Sequence, residues 1–363
     1  MVRLSVIELF PKSQKQINMK FNHYIFGIVL VAGSLAACDN QDIEFDDYKF
    51  QAVYFGSQYP VRTLQLGDDE FMDLTLDNQH KFKIMATMGG TYNNNRNRVI
   101  DFVVDESLCA NLFYADNDTP VLPMPKEYYQ LASDQIVLPA GSELDGVEVK
   151  LTDAYFADEK ALGRNYVIPL RMTGVQGADS ILSGLAGVDN PDLCVASDWI
   201  KAPRNYVLYC VRYVNPWHAV YVRRGKDKIT DATGTTTETI RHQEYVEKDE
   251  VVNVITAAYK KVRLPLTIKK DDGTDVNYEL TLTFDDNNQC SVSAGADNLE
   301  VSGSGKFVMD GEKQSIGGLD RNALYLDYQV KFKELNRTYI TTDTLVVRDR
   351  GVKPEYFSVK RVK

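Results

Sequence analysis

Apolar and polar residues alternate with a period of two through most of this chain, and long helical periodicity is nearly absent. Ile100, Phe102 and Val104 alternate with Asp101, Val103 and Asp105, and Val147, Val149 and Leu151 alternate with Glu148, Lys150 and Thr152. Side chains two apart share one face of a strand, so these are half-buried strands. Pro139-Ala140-Gly141 ends the apolar run 136–138 with a turn. Pro169 has no N–H for a ladder, so its strand is expected at a sheet edge or with a bulge. Short strands separated by turn clusters at 92–95 and 116–120 predict a β-sandwich of immunoglobulin type.

The second half alternates more strictly. Tyr278, Leu280, Leu282 and Phe284 face one way and Glu279, Thr281, Thr283 and Asp285 the other. Leu324, Leu326, Tyr328, Val330 and Phe332 oppose Tyr325, Asp327, Gln329, Lys331 and Lys333 in the same manner. One face of 299–309 reads Leu299, Val301, Gly303, Gly305, Phe307, and inward glycines permit curvature and close backbone approach. Asp271-Asp272-Gly273 and 285–288 are hairpin turns by composition. About eight such strands in succession predict an antiparallel, lipocalin-like β-barrel. Residues 249–261 read either as a strand and a turn or as one short helix. The pattern weakens between Gly174 and Ala202, so the division is placed near Asn190: a sandwich at 48–190 and a barrel at 191–363.

The apolar run 24–35 has 12 residues, too few to span a bilayer but right for the core of a signal peptide. Leu35-Ala36-Ala37-Cys38 follows it and reads as a bacterial lipoprotein signal, with Cys38 as the acylated residue of the processed chain. Met19-Lys20 makes a natural start, which leaves 1–18 without a targeting role. Acyl chains contribute about 0.8 kcal/mol per buried methylene, and stable anchoring needs more than one chain. Residues 1–37 are thus a signal peptide and 38–47 an acidic lipidated tether. The expected location is the outer membrane, lipid-anchored, on the cell surface; a periplasm-facing lipoprotein is the alternative.

Processing leaves 326 residues with 37 basic against 50 acidic, a net charge of −13. Phosphate backbones repel such a chain, so nucleic acid is excluded as a partner. Cys109, Cys194, Cys210 and Cys290 contain no Cys-x-x-Cys pair, and buried free thiols are expected. Only His80, His218 and His242 survive processing, and they form no metal-ligand cluster. Gly303-Ser304-Gly305 lacks the frame of a nucleophile elbow, and no paired-carboxylate run of the chitinase-like type occurs. No cofactor, no metal and no catalysis are expected; Asp116-Asn117-Asp118 reads as a polar loop rather than a calcium site.

The best constellation is Tyr213, Trp217, His218, Tyr221 and Arg223, with Arg224 beside it. Aromatic faces pack against the C–H faces of sugars while His and Arg meet the hydroxyls. The competing reading is structural: a Trp near the first barrel strand closes the barrel floor with an Arg stacked on it, from Arg223, Arg348 or Arg350. Tyr128-Tyr129 place one ring on each side of a strand, one in the core.

Two stretches carry a family resemblance. Residues 120–152 (PVLPMPKEYYQLASDQIVLPAGSELDGVEVKLT) and 166–182 (YVIPLRMTGVQGADSIL) resemble the N-terminal domain, spanning about 45–185, of a Bacteroidetes surface lipoprotein family of unknown function. That family belongs to glycan-utilisation loci. Residues 205–225 (NYVLYCVRYVNPWHAVYVRRG) with 344–351 (TLVVRDRG) resemble its usual C-terminal lipocalin-like partner; Ala219 stands where the pattern has Gly. The resemblance implies a non-catalytic glycan-binding lipoprotein beside an outer-membrane importer and its partner lipoprotein, with an oligosaccharide or polysaccharide as ligand. Two alternatives are a structural or adhesive protein that binds another protein, and a barrel that holds a small apolar ligand.

Overall fold

The computed structural model describes residues 48–362, nearly all of them in strands and turns. Cys38 and the expected signal peptide lie outside the described residues. Among those described, no helix is long and apolar enough to cross a membrane.

The N-terminal module is built from two sheets. The first runs Ser180–Ile181, Ala52–Tyr54, Lys81–Gly89, Leu144–Leu151, Tyr129–Leu131; the second runs Glu355–Tyr356, Pro60–Gln65, Tyr206–Val214, Tyr166–Gln176, Arg98–Val104, Gln135–Leu138. The alternation read from the sequence decides which side chains face inward. Phe82, Ile84, Val147 and Val149 from one sheet join Ile100, Ile168, Leu170 and Val211 from the other in one core, each contributing roughly 1.5–3 kcal/mol by burial. Tyr129 enters this core and Tyr128 bonds Asp158 at its margin, at 3.1 Å.

The strand Tyr166–Gln176 is central, not at an edge: it pairs with Tyr206–Val214 on one side and Arg98–Val104 on the other. Pro169 is tolerated because its carbonyl accepts the Asp105 N–H at 2.9 Å just past the end of the neighbouring strand, where no donor is needed. The expected bulge is present at Met172–Gly174, beyond the proline.

The C-terminal module is a closed antiparallel barrel of eight strands. Ala219–Thr230, Glu250–Ala258, Lys261–Lys269, Asp275–Phe284, Gln289–Ala294, Leu299–Glu312, Arg321–Phe332 and Arg337–Asp349 pair in sequence, and the last closes onto the first. The ambiguous segment at 249–261 is therefore strand and turn. Succession is not quite simple, because Thr236–Arg241 adds a ninth strand outside the closed ring. It pairs with the second half of Ala219–Thr230, whose first half pairs with Glu250–Ala258. The inward glycines act as expected: a Cβ on Gly303 would lie 2.5 Å from Tyr328 Cβ.

Tyr206–Val214 lies in the sandwich sheet, past the division expected near Asn190, and the chain crosses to the barrel through residues 215–218. After the barrel it returns, pairing Glu355–Tyr356 with Pro60–Gln65 and Val359–Arg361 with Leu112–Tyr114. Arg350, at 7 % exposure, sits where these paths meet. Its guanidinium donates to the carbonyls of Leu66 (3.0 Å), Asp68 (2.8 Å), Asn215 (2.9 Å) and His218 (2.9 Å). Asn215 completes the joint: its Nδ2 donates to the Ala258 and Lys261 carbonyls, both at 3.0 Å.

Replacing Gly303 by Ala is expected to destabilise the barrel by about 1–3 kcal/mol through overpacking. Urea denaturation checks this, and an unchanged midpoint would contradict the close strand approach.

Candidate functional site

The five residues singled out from the sequence do not form one surface. Tyr213 is in the sandwich core, its hydroxyl donating to the Phe156 carbonyl at 3.2 Å. Tyr221 is buried in the barrel and donates to the Trp217 carbonyl at 2.9 Å. Trp217 stacks on Phe284 with centroids 3.9 Å apart and donates Nε1–H to Asn288 Oδ1 at 3.1 Å. No arginine covers it among the described ring contacts; Arg350 goes to the carbonyls of the joint and Arg348 lies near Asp349 at 3.4 Å. His218 Nδ1 accepts the Thr256 N–H at 3.1 Å. Burial first, then Arg350 and Arg212, push the His218 pKa down to about 4.

Arg223 belongs to a charged network inside the barrel. It reaches Asp343 Oδ2 (2.9 Å), Glu250 Oε2 (3.0 Å) and the Tyr328 hydroxyl (3.0 Å), and Tyr328 itself donates to Asp343 Oδ2 at 2.9 Å. Arg241, from the ninth strand, joins Asp343 Oδ1 and Asp227 Oδ2, each at 2.5 Å. Burial weighs against the Arg223 charge, yet Tyr328, Asp343 and Glu250 hold its pKa above the ordinary arginine value. Gly225 is required beside this network, since a Cβ there would lie 2.3 Å from Asp343 Oδ1. Arg224 instead pairs with Asp249. The rest of the interior is filled by Phe284, Phe307, Phe332, Leu264, Leu282 and Leu326. This packing and the buried charge across it stand against the small apolar ligand considered for the barrel, while a depression of about 210 Å³ at one end is lined by Tyr278, Leu299 and Phe332.

Trp217 does border an open feature, a cleft of about 220 Å³ where sandwich and barrel meet. The sandwich contributes Asn78 and His80, the crossover Pro216 and Trp217, and two barrel turns Tyr259, Lys260, Asp285, Asp286 and Asn288. A depression of about 410 Å³ shares Asn78 and His80 and continues along Gln130, Lys150 and Asp153. Local sequence sets the sandwich wall. The buried Asp77 carboxylate accepts from Gln65 N–H at 2.8 Å and from Arg62, pinning the one-turn helix Thr75–Asn78. Asn78 exchanges two hydrogen bonds with Gly67, whose φ of +96° and contact with Pro216 exclude a side chain. His80, at φ 59°, then turns its ring against Phe156, 4.2 Å between centroids.

Tyr259 closes the aromatic part of the cleft. Its hydroxyl meets His80 Nε2 at 3.3 Å, and its ring packs 5.4 Å from Phe156. Burial, the larger influence, and Lys150 lower the His80 pKa against the opposing pull of Asp153. Lys260 bonds Asp286 Oδ1 at 2.5 Å on the rim. Flat rings bordered by amide, carboxylate and ammonium groups can pack against an apolar face while exchanging hydrogen bonds at its edge. His80 and Tyr259 stand 179 residues apart, and no local signal in the sequence joins them.

Other residues singled out from the sequence are held locally. Asp116 pairs with Arg164 at 2.5 Å and Asp118 with Lys360, so the 116–118 loop is held by ion pairs. The cysteines at 109, 194, 210 and 290 are free and buried. Among the described residues no cluster suited to a metal ion occurs.

A family model described as a domain of unknown function (DUF5627) matches residues 216–351, and a second, described as an N-terminal domain, matches residues 46–179. A crystallised protein of unknown function from Bacteroides ovatus is 53% identical, with 87% of this chain and 100% of that chain covered and a TM-score of 0.82. A multidomain protein including DUF1735, also from Bacteroides ovatus, is 10% identical over 85% of this chain and 100% of that chain, with a TM-score of 0.41. An auxiliary nutrient binding protein from Bacteroides thetaiotaomicron is 13% identical over 82% of this chain and 95% of that chain, with a TM-score of 0.36. Those last two likenesses are too slight to carry an argument. No protein of curated function matches the chain.

Two outcomes follow from the buried groups. Arg223→Met takes from Asp343 one of its two arginines, leaving Arg241 and Tyr328, and is expected to destabilise the barrel by about 1–3 kcal/mol; denaturant titration checks this, and an unchanged midpoint would contradict it. His218, neutral when folded, gives stability that is complete above its unfolded pKa of about 6.5 and falls as pH drops toward 4. The loss by pH 4 is on the order of 3 kcal/mol. His218→Asn, which keeps an acceptor without titrating, is expected to flatten the melting temperature between pH 6.5 and 4, and an unchanged slope would contradict this.

Proposed function

This chain belongs to the same family as that Bacteroides ovatus protein of unknown function, and we propose that it is a non-catalytic, glycan-binding lipoprotein of the cell surface. The observation that carries the reading is the cleft between the modules, with Tyr259, His80 and the edge of Trp217 beside Asn78, Lys260 and Asp286. Its volume lies below the 300–1,000 Å³ of pockets that enclose a small ligand, which suits a sugar unit of a longer chain that rests across the cleft and leaves at both ends. The cleft replaces the buried constellation of Tyr213, Trp217, His218, Tyr221 and Arg223 as the proposed site, with Trp217 common to both.

The anchor completes the proposal. Processing before Cys38 and acylation of its thiol and amine tether the folded chain to the outer membrane, where captured oligosaccharide is held near an importer and its partner lipoprotein. Weak stacking suits that task, because a ligand destined for transport must also be released.

Calorimetry and affinity electrophoresis with a panel of plant and host polysaccharides test the site. At least one glycan is expected to bind, with Tyr259→Ala reducing its affinity about tenfold or more, which corresponds to about 1.4 kcal/mol. Silence across the panel by folded protein, or undiminished binding by the variant, would contradict it. For the anchor, Cys38→Ala is expected to shift the protein from the membrane to the soluble fraction of the native host; retention in the membrane would sink that part.

A further inference from the structure

We infer that the face around Tyr48 and Phe50 is a membrane-contact surface that seats the sandwich on the headgroup region of the bilayer; this rests on the proposed acylation of Cys38. Tyr48 is 79 % and Phe50 56 % exposed. Both line an open depression of about 510 Å³ with Tyr54, Leu182 and Arg204. The backbone ties the next apolar segment to it: Leu182 N–H donates to the Val53 carbonyl at 3.1 Å, and Arg204 N–H to the Leu182 carbonyl at 2.8 Å. The antiparallel pair Leu185–Ala186 with Trp199–Lys201 follows Leu182 along the chain, carrying Leu185 at 49 % and Ile200 at 69 % exposure. Single exposed apolar residues need no explanation, but a connected group marks a contact surface.

Chain length selects the occupant. Lys49, Lys201 and Arg204 are exposed around this face, together with the Asp179 carboxylate, which accepts the Gln51 N–H at 2.7 Å, and residues 39–47 before it are acidic. Aromatic rings among basic side chains are the composition that settles at a headgroup boundary, with rings at the acyl edge and cations at phosphates. Cys38 precedes Tyr48 by ten residues, a span of at most about 35 Å when extended. The tether therefore holds this face, more than any other part of the molecule, within reach of the lipid. An acyl anchor fixes only position; the face adds orientation, turning the rest of the molecule outward.

The test uses residues 38–363, which contain both cores, coupled through Cys38 to a maleimide-headgroup lipid. The other four cysteines are buried and do not compete for the reagent. Vesicles of phosphatidylethanolamine and phosphatidylglycerol are made with plain or brominated acyl chains, and bromine quenches tryptophan that lies close to it. Trp199, beside Ile200, is one of two tryptophans, so emission is expected to fall by up to about one half on brominated vesicles. The loss is expected to vanish in Tyr48→Ser/Phe50→Ser/Ile200→Ser, with the melting temperature unchanged.

Equal wild-type emission on both vesicle types would overturn the inference, and that comparison needs no variant. An equal loss in the triple variant would overturn it too. So would a concentration-dependent dimer, formed without vesicles and abolished by the same substitutions, which would give the face to a second copy of the chain. Flotation of the natively expressed protein tests the acyl anchor separately. Should it fail to float while the coupled protein is still quenched, the anchor falls and the surface stands.

Discussion

The arrangement of this molecule depends on how one buried guanidinium is satisfied. Arg350 ends the barrel and directs its donors to four backbone carbonyls from two stretches: Leu66 and Asp68 after a sandwich strand, Asn215 and His218 in the crossover. Burial pulls its pKa below the ordinary arginine value, against the weaker opposing pull of the Asp69 and Asp68 carboxylates. A buried cation keeps its charge when its donors are filled in good geometry. The same geometry fixes the direction in which the chain leaves each module. Gly67 packed on Pro216 and Asn215 bonded to the barrel turn at 258–261 repeat that constraint with neutral groups.

The cleft is a consequence of this joint. Its sandwich wall (Asn78, His80) and its barrel wall (Tyr259, Lys260, Asp286) come from separate cores, and neither core alone sets their spacing. Because Arg350 and the returning strand Glu355–Tyr356 hold the modules from two sides, the walls are in place before any ligand arrives. A preformed site loses less conformational freedom on binding, which matters most where each contact is weak. The charged network around Arg223 and Asp343 does a different job: it fills the barrel and latches the added strand through Arg241, so the barrel serves as a wall rather than a container.

Period-two alternation made the strands legible, because each depends only on neighbours two residues away. The inward face of 278–284 and the glycines at 303 and 305 could be read for that reason. Pro169 pointed to an edge strand or a bulge; the strand is central and carries a bulge at Met172–Gly174, and it accepts the proline itself because its neighbour ends there. The ninth strand and the crossover at 215–218 depend on pairings between distant segments, which periodicity does not encode. The site was the least legible part. Trp217 was visible as a tryptophan beside a barrel strand, but its stacking on Phe284 and its place at the edge of a cleft come from tertiary packing. His80 looked like an isolated histidine, and Tyr259 fell in the segment whose structure the sequence left open.

Differential scanning calorimetry of the wild-type chain and of Arg350→Met tests the joint most directly. If this guanidinium couples the two modules, the wild type melts in one transition, and the variant melts earlier, with sandwich and barrel separating into two transitions. A variant that melts in a single transition at the wild-type temperature would contradict the account.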